Sequence, residues 1–194
     1  MLKKTNPVLL LKKWLREAQE AGISNAEAMT LATATRDGLP SARIVLFKGM
    51  IRGGLAFFTN YESRKSRELD TNPRAALVFH WDSFERQIRV EGRIERCTAT
   101  ESSRYFASRP RVSQLGAWAS RQSETLSSRA ELDKRLVEIE ARFARGKIPR
   151  PEFWGGYRVV PEQIEFWQGR EHRLHERILF TRKGTKWKTS LLSP

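Results

Sequence analysis

The stretch AMTLATATRDGLPSARIVLFKGMIRGGLAFFTN, residues 28–60, decides the fold class. It consists of short apolar runs separated by Asp37-Gly38 and Gly53-Gly54, and such pairs are typical of tight turns between antiparallel strands. Two later segments, RAALVFHW (residues 74–81) and RQIRVEGRIERC (residues 86–97), continue the pattern. The second alternates apolar or small residues with polar ones. Closely spaced antiparallel strands of this kind predict a small β-barrel or sandwich.

Helical segments interrupt these strands. Apolar residues at helical spacing predict an amphipathic helix over residues 7–21, which Gly22 ends. The Ser128-x-x-Glu131 pattern predicts the start of a longer helix over residues 128–145. Further elements are predicted as follows: short helices within residues 62–73 and 98–110, and strands over residues 157–167 and 173–181. The prediction is one α+β domain spanning residues 1–194.

The composition limits the possible functions. The 194-residue chain has a net charge of +14, which favours an anionic partner. Its basic residues are spread along the chain without a known nucleic-acid-binding pattern, so we do not expect a nucleic-acid partner. Cys97 is the single cysteine and the three histidines lack metal-ligand spacing, so no disulfide or metal site is expected. No apolar run is long enough to cross a bilayer, and a cytoplasmic protein is the expectation.

A first anion site is predicted where a strand passes into a helix. Thr59, Ser63, Arg64 and Lys65 bring hydroxyls and two cations to the start of the predicted helix, where free N–H groups favour an anion. An ordinary capped surface helix is the alternative. Arg43 and Lys48 lie on an earlier predicted strand, residues 41–49. Either they contact anionic ligands, or this is an edge strand whose charged side chains reach water.

A second anion site is predicted further along the chain. Tyr105 and Arg109 lie four residues apart in a predicted helix, and Ser113 follows. Arg can bind phosphate through two nitrogens, whereas a solvated Arg beside a half-buried Tyr is the alternative.

The segment FWQGREHRLHERILF, residues 166–180, is rich in Arg and His. As an extended strand it would place Arg173, His175 and Arg177 on one face. Like charges at that spacing repel unless an anion or water lies between them. No nucleophile–base pair is evident, so the pattern favours an enzyme whose cofactor carries the chemistry.

Several motifs occur together in a fixed order: RIVLFK, FFTN followed by SRK, ERQIRVEGR, YFASRPRVSQLGAW, RQS, FWGGYRVVP, IEFWQG and HRLHER. In this combination the chain resembles the pyridoxine/pyridoxamine 5′-phosphate oxidase family from about residue 10 to near the C-terminus. The resemblance implies an antiparallel split β-barrel that binds FMN, with flanking helices. It also implies a homodimer with two FMN molecules at the subunit interface.

The resemblance also implies residue roles. The implied FMN contacts from one subunit are Arg43, Ile44, Val45, Leu46, Phe47, Lys48, Phe58, Thr59, Ser63, Arg64 and Lys65. Those that complete the FMN site, some from the other subunit, are Gln87, Gln122, Ser123, Trp167 and Arg177. The implied substrate-phosphate contacts are Lys48, Tyr105, Arg109 and Ser113, with Arg173, Leu174 and His175 over the substrate. Arg173 is expected to orient the substrate and support charge, and His175 to hold it or handle a proton.

The implied reaction takes two electrons from C4′ of pyridoxine or pyridoxamine 5′-phosphate, as a hydride to flavin N5. Molecular oxygen then reoxidises the flavin and gives hydrogen peroxide. The amine substrate leaves an imine that hydrolyses to pyridoxal 5′-phosphate and ammonia.

The chain departs from the family pattern at three places. The segment MLKKTNP has no clear equivalent of the basic, Tyr-containing N-terminal arm that often reaches the substrate pocket. The usual C-terminal Arg-Leu-x-Pro begins here with Leu191, which predicts the loss of an end-of-chain interaction. Phe58 stands where Tyr is common.

Two alternatives remain at this level. One is an oxidase of the same fold with another substrate, as in phenazine biosynthesis, although Lys48, Tyr105, Arg109 and Ser113 favour a phosphorylated substrate. The other is a flavin-free binding protein that uses the basic surface.

Overall fold

The computed structural model describes residues 6–194. Residues 1–5 of the MLKKTNP segment therefore lie outside the described residues. The helices are α1 Pro7–Glu20, α2 Arg64–Thr71, α3 Ala99–Ser108, α4 Arg111–Ala119 and α5 Arg129–Arg142. The strands are β1 Ala28–Ala34, β2 Pro40–Leu46, β3 Met50–Ile51, β4 Gly54–Asn60, β5 Arg74–Trp81, β6 Arg86–Arg96, β7 Trp154–Gln168, β8 Glu176–Lys183 and β9 Lys186–Leu192.

The strands of the described chain form one antiparallel sheet in the order β2-β1-β5-β6-β7-β4-β3, with β8 paired to β7 and β9. The long strand β7 carries the branch point. Its first part pairs with β4 and its second part with β8, while β6 runs along most of its length. This arrangement confirms the predicted α+β fold with an antiparallel split barrel.

Both predicted hairpin turns are present. Gly38 (φ 90°) turns the chain between β1 and β2, and its N–H donates to the Thr35 carbonyl at 3.0 Å. Gly53 (φ 76°) turns the chain between β3 and β4. Left-handed backbone of this kind favours glycine because a Cβ would clash with the chain.

A β-bulge bends the β6–β7 ladder between Glu91 and Gly92. A Cβ added at Gly92 would lie 2.1 Å from the Val160 carbonyl oxygen. Gly92, which the strand pattern included as a small residue, is therefore required by the close approach of two backbones.

The main core lies inside the barrel and under α1. Phe57, Phe79 and Phe166 are fully or almost fully buried there. Asn6 caps α1 by accepting a 2.9 Å hydrogen bond from the N–H of Val8, and Pro7 occupies the first helical position. Trp14 of α1 then packs edge-on against Phe166, with 5.2 Å between ring centroids. The predicted apolar face of α1 thus closes one side of the barrel.

A smaller apolar cluster lies under α3, α4 and α5. Phe106, Leu115, Ile148 and Trp154 form its buried centre. The predicted helix over 128–145 is observed as the shorter α5, whose first turn is capped by the Ser128 hydroxyl. Helix α4 was not predicted. It is short and begins directly after Pro110, the last residue of the segment 98–110 in which one short helix is predicted.

The predicted strand over 173–181 is wrong at its beginning. The segment Glu171–Arg173 forms a 3₁₀ turn in which His172 and Arg173 are left-handed, with φ of 55° and 61°. Strand β8 starts only at Glu176. Arg173 and His175 therefore do not share a strand face with Arg177, because the chain turns before it becomes extended.

Within residues 6–194 no helix has both the length and the apolar character that crossing a membrane would require.

Candidate active site

A cleft of about 930 Å³ opens between the barrel and the α3–α4 layer. It is formed by the outer side of β2, the end of β4, the start of α2, and the connector after α4. Predicted residues that line it are Arg43, Ile44, Val45, Leu46, Lys48, Phe58, Thr59, Arg64, Lys65, Tyr105, Arg109, Ser113, Gln122 and Ser123. The two predicted anion sites thus lie in one cleft.

Lys65 supplies a buried positive charge to this cleft. It is 8% exposed, and its Nζ donates to Gln122 Oε1 at 2.8 Å, Thr59 Oγ1 at 3.1 Å and Ser63 Oγ at 3.2 Å. All three acceptors are neutral, and within residues 6–194 no carboxylate lies within ion-pair distance. Burial and, to a smaller extent, the charge of Arg43 lower the pKa of Lys65 to about 8, against the opposing effect of the Glu68 charge. An anion would supply the missing counter-charge.

Two arginines beside Lys65 share one buried carboxylate. Glu68 Oε1 accepts from Arg64 Nε at 2.8 Å, and its Oε2 accepts from Arg43 Nη2 at 3.3 Å. Burial raises the pKa of Glu68, but hydrogen bonds from Ser41, Thr33 and Arg64 and the charge of Arg43 outweigh it and lower the pKa to about 2. Glu68 is therefore ionised at neutral pH.

Arg109 marks the second anion site. The prediction that it shares a helix with Tyr105 is wrong. Helix α3 ends at Ser108, and Arg109 adopts an extended conformation before Pro110. Both side chains still line the cleft. The guanidinium lies 4.8 Å from the centre of the Trp154 ring. Its Nη1 is buried and has no hydrogen-bond partner among the described residues. A buried, unsatisfied N–H of this kind is costly without an acceptor.

Aromatic rings form the wall between the β4 end and α3. Phe58 stacks on Tyr105 at 4.0 Å and on Trp154 at 5.6 Å between ring centroids. Burial raises the pKa of the Tyr105 hydroxyl, while the charge of Arg109 opposes the shift. The wall thus combines flat apolar rings with a protonated phenol.

Of the FMN contacts implied from one subunit, two do not line the cleft. Phe47 is 8% exposed, and its ring packs against Phe79 in the core. Ser63 is fully buried and its hydroxyl donates to the Asn60 carbonyl at 2.7 Å, so it supports the start of α2 from below. Lys48 does line the cleft, and its Nζ lies 3.9 Å from Glu27.

The remaining predicted residues form a second patch, on β6, β7 and β8. Gln87, Trp167 and Arg177 occupy facing positions on these three neighbouring strands. The His175 ring lies 4.6 Å from the Trp167 ring. Glu165 holds Arg177 with hydrogen bonds of 2.7 Å and 3.2 Å. We call Gln87, Trp167, His175 and Arg177 the β6–β8 patch. None of them lines the cleft of the same chain.

The end of the chain reaches this patch. Arg177 Nη1 donates to the Ser193 carbonyl at 3.0 Å, which leaves the guanidinium held on both sides. Leu191, where an arginine was expected, is 60% exposed. Arg173 and Leu174 are also exposed, in the turn before β8.

Comparisons with known proteins identify the family. A family model described as pyridoxamine 5′-phosphate oxidase matches residues 15–143, which hold most of the cleft. A second, described as the pyridoxine 5′-phosphate oxidase C-terminal dimerisation region, matches residues 154–194. The chain belongs to the pyridoxamine 5′-phosphate oxidase family.

Relatives within the pyridoxamine 5′-phosphate oxidase family match nearly the whole chain. A pyridoxine/pyridoxamine 5′-phosphate oxidase from Rubrobacter xylanophilus is 57% identical over 97% of this chain and 87% of its own. One of the same name from Psychromonas ingrahamii is 50% identical over 100% of this chain and 89% of its own. The chain is accordingly an oxidoreductase, and its dimerisation region indicates a homodimer.

Solved structures share the fold, and one of them holds a ligand of a different kind. PhzG from Burkholderia lata, in complex with tetrahydrophenazine-1-carboxylic acid, superposes with a TM-score of 0.92 at 34% identity, covering 97% of this chain and 93% of PhzG. A pyridoxamine 5′-phosphate oxidase-related, FMN-binding protein from Nostoc punctiforme has a TM-score of 0.77 at 14% identity, covering 98% and 100%, and shows the fold alone.

Several cleft residues of this family member escaped the sequence analysis. They include Ser41, Asn60, Ser120 and Trp154. Their positions depend on how β2, β4, β7 and the end of α4 come together, for which the local sequence carries no signal. Glu68, which lies behind the cleft, is different, since its place four residues after Arg64 in a predicted helix is an ion-pair spacing visible in the sequence.

Proposed function

We propose that the chain is an FMN-dependent oxidase that converts pyridoxamine and pyridoxine 5′-phosphates to pyridoxal 5′-phosphate with O2. The observation that carries the proposal is the pair of unsatisfied cations in one cleft: Lys65, buried without a counter-charge, and Arg109, with a buried Nη1 that lacks a partner. Two anionic groups, one on the cofactor and one on the substrate, would satisfy both.

The FMN phosphate fits the Lys65 end of the cleft. Lys65 and Arg64 lie in the first turn of α2, where backbone N–H groups also favour an anion. Thr59 and Gln122 add hydrogen-bonding groups next to Lys65. This end therefore offers a dianion two full charges and neutral partners.

The substrate phosphate fits the Arg109 end. Lys48, Tyr105 and Ser113 line the same cleft and offer a cation and two hydroxyls. Arg109 is held over Trp154, so its guanidinium is preorganised before the substrate arrives.

In this proposal the protein positions the reactants and balances charge. FMN, when bound, supplies the two-electron acceptor that O2 reoxidises with release of hydrogen peroxide. The amine substrate consumes water and releases ammonia, whereas the alcohol needs no water. The chain's own residues hold both phosphates, orient C4′ and exclude solvent behind the aromatic wall.

A homodimer would complete the site. Gln87, Trp167, His175 and Arg177 lie in the β6–β8 patch, away from the cleft of their own chain. We propose that this patch of one subunit faces the cleft of the other, with FMN between them. Arg173 and His175 would then approach the substrate, Arg173 to orient it and His175 to hold it or handle a proton.

A PhzG-like oxidase is the second candidate, favoured by the TM-score of 0.92. The carboxylate of the ligand named for PhzG could also satisfy Arg109. The 50–57% identity to proteins named as vitamin B6 oxidases favours the phosphorylated substrate.

The absorption spectrum of the purified protein tests the proposal. We expect a visible flavin band that bleaches when pyridoxamine 5′-phosphate is added without oxygen and returns when air is admitted. A band that bleaches only with a tetrahydrophenazine carboxylic acid would support the second candidate. A protein that binds no flavin, even after FMN is added, would contradict both.

The affinity for FMN should depend on pH in a defined direction. Lys65, with a pKa of about 8, is charged below that pH, and FMN phosphate is a dianion above about pH 6. Between these values the affinity should be nearly constant. Above pH 8, binding requires uptake of a proton by Lys65, so the affinity should fall by up to about tenfold per pH unit.

Titration of the apoprotein with FMN, followed by quenching of flavin fluorescence from pH 7 to pH 10, measures this dependence. Lys65→Arg is the matched control, because a guanidinium stays charged throughout that range. An equally steep fall in both proteins would assign the effect to another group.

A further inference from the structure

Glu68 lies behind the cofactor end of the cleft, outside the set of cleft-lining residues. We propose that Glu68 is a positioning residue, which holds the Arg64 guanidinium edge-on so that its terminal nitrogens face the FMN phosphate. This inference rests on the proposed function and assigns to Glu68 a part in cofactor affinity.

The contacts of Glu68 converge from three elements. Its carboxylate accepts hydrogen bonds from Thr33 of β1, Ser41 of β2 at 2.6 Å, and the two arginines. The side chain is 5% exposed, and its four donors leave it little freedom to move. A buried ionised group with so many partners is fixed in position.

The two arginines use this carboxylate differently. Arg43 also donates to the Leu31 carbonyl at 3.2 Å and to Thr33 and Ser41, so most of its N–H groups are committed within the protein. Arg64 contacts Glu68 through Nε. Among the described residues its Nη1 and Nη2 have no partner, and its side chain is 55% exposed at the cleft. Arg64 is thus the donor left open to a ligand.

This geometry separates the anchoring edge of Arg64 from its binding edge. An arginine on a surface helix samples many rotamers, and ordering it on binding costs affinity. The Nε contact removes that cost before FMN arrives. Arg43 does not share this role, because it ties β2 to α2 through the same carboxylate.

Glu68 also exerts an opposing effect, because a carboxylate near the cofactor end repels phosphate. Removing its charge alone would therefore strengthen FMN binding. Removing its anchoring role would weaken it. The sign of the change on substitution decides between an electrostatic and a positioning role.

Glu68→Gln tests the inference by fluorescence titration of the apoprotein with FMN. We expect the Kd for FMN to rise on the order of tenfold, because a charge-assisted contact that orders Arg64 becomes a weaker neutral one. Asp70→Asn is the matched control: Asp70 belongs to the same helix and pairs with Arg96 at 2.8 Å, outside the cleft. It should change the thermal midpoint of the apoprotein but leave the Kd unchanged.

Glu68→Asp separates position from charge and retains the anion should Glu68→Gln fail to fold. The shorter side chain keeps the charge but cannot reach Arg64 and the β1–β2 hydroxyls together, so we expect a similarly raised Kd. A wild-type Kd in Glu68→Asp would overturn the positioning role.

A double-mutant cycle measures the coupling between Glu68 and Arg64 in FMN binding, which general destabilisation of the protein would not change. If Glu68 acts through Arg64, Glu68→Gln should raise the Kd far less in an Arg64→Met background than in the wild type. Additive effects would overturn the inference. Tighter FMN binding by Glu68→Gln would overturn it too and leave the proposed function standing, whereas a wild-type protein that binds no FMN would contradict the proposed function itself.

Discussion

Replacing Lys65 by Met should abolish most of the affinity for FMN without destabilising the apoprotein. The loss of a buried cation that pairs with a phosphate costs about 2–5 kcal/mol of binding, or roughly thirtyfold and more in Kd. The apoprotein should be as stable as the wild type or more so. Burial has lowered the pKa of Lys65 to about 8, so the folded protein at pH 7 holds a proton that its environment disfavours.

Lys65→Met should weaken FMN binding without lowering the stability of the apoprotein, which distinguishes a binding role from a structural one. Fluorescence titration gives the Kd, and thermal unfolding of the apoprotein gives the stability. Lys134→Met, at an exposed position of α5, is the control and should change neither by much. A lower thermal midpoint together with an unchanged Kd would show that Lys65 serves the fold instead.

The barrel could be predicted from local signals because turns and strand periodicity are encoded by neighbouring residues. Gly38 and Gly53 adopt the left-handed conformations that their hairpins need. The start of α5 at Ser128 likewise follows from one side chain and one backbone N–H. In each case the deciding contact joins residues at most a few positions apart.

The errors arose where one signal admitted two structures. As an extended strand, residues 173–181 would place Arg173, His175 and Arg177 on one face, but two consecutive left-handed residues, His172 and Arg173, turn the chain before β8. Pro110 closes the predicted helical segment 98–110, and it is also the N-cap residue of α4. Neither ambiguity can be resolved without knowing what the segment packs against.

The assembly of the candidate site needed long-range information. Thr59 and Gln122 are 63 residues apart, yet both contact Lys65. The resemblance to a family supplied residue roles that spacing alone left open. The structure adds an electrostatic reason: Lys65 has no carboxylate partner among the described residues, and Arg64 and Arg43 share one.

Replacing Arg109 by Met should lower kcat/KM for pyridoxamine 5′-phosphate roughly thirtyfold or more, which corresponds to a loss of about 2–5 kcal/mol of transition-state stabilisation. The Kd for FMN should stay the same, because FMN binds at the Lys65 end in our proposal. The loss is expected because Nη1 of Arg109 is buried and has no hydrogen-bond partner among the described residues, so that the substrate phosphate would be its acceptor. Met keeps the apolar contact with Trp154 but offers no donor.

The substrate without its phosphate provides the decisive comparison for Arg109→Met. Pyridoxamine has no anion to place against Arg109, so the variant and the wild type should oxidise it at similar, low kcat/KM. Arg104→Met, on the exposed side of α3, is the matched control and should leave both substrates unaffected. An equal loss with pyridoxamine and with its phosphate would show that Arg109 supports the aromatic wall rather than the phosphate. The Arg109 end of the cleft would then have to accept a ligand of another kind, such as the carboxylate of the PhzG-like candidate.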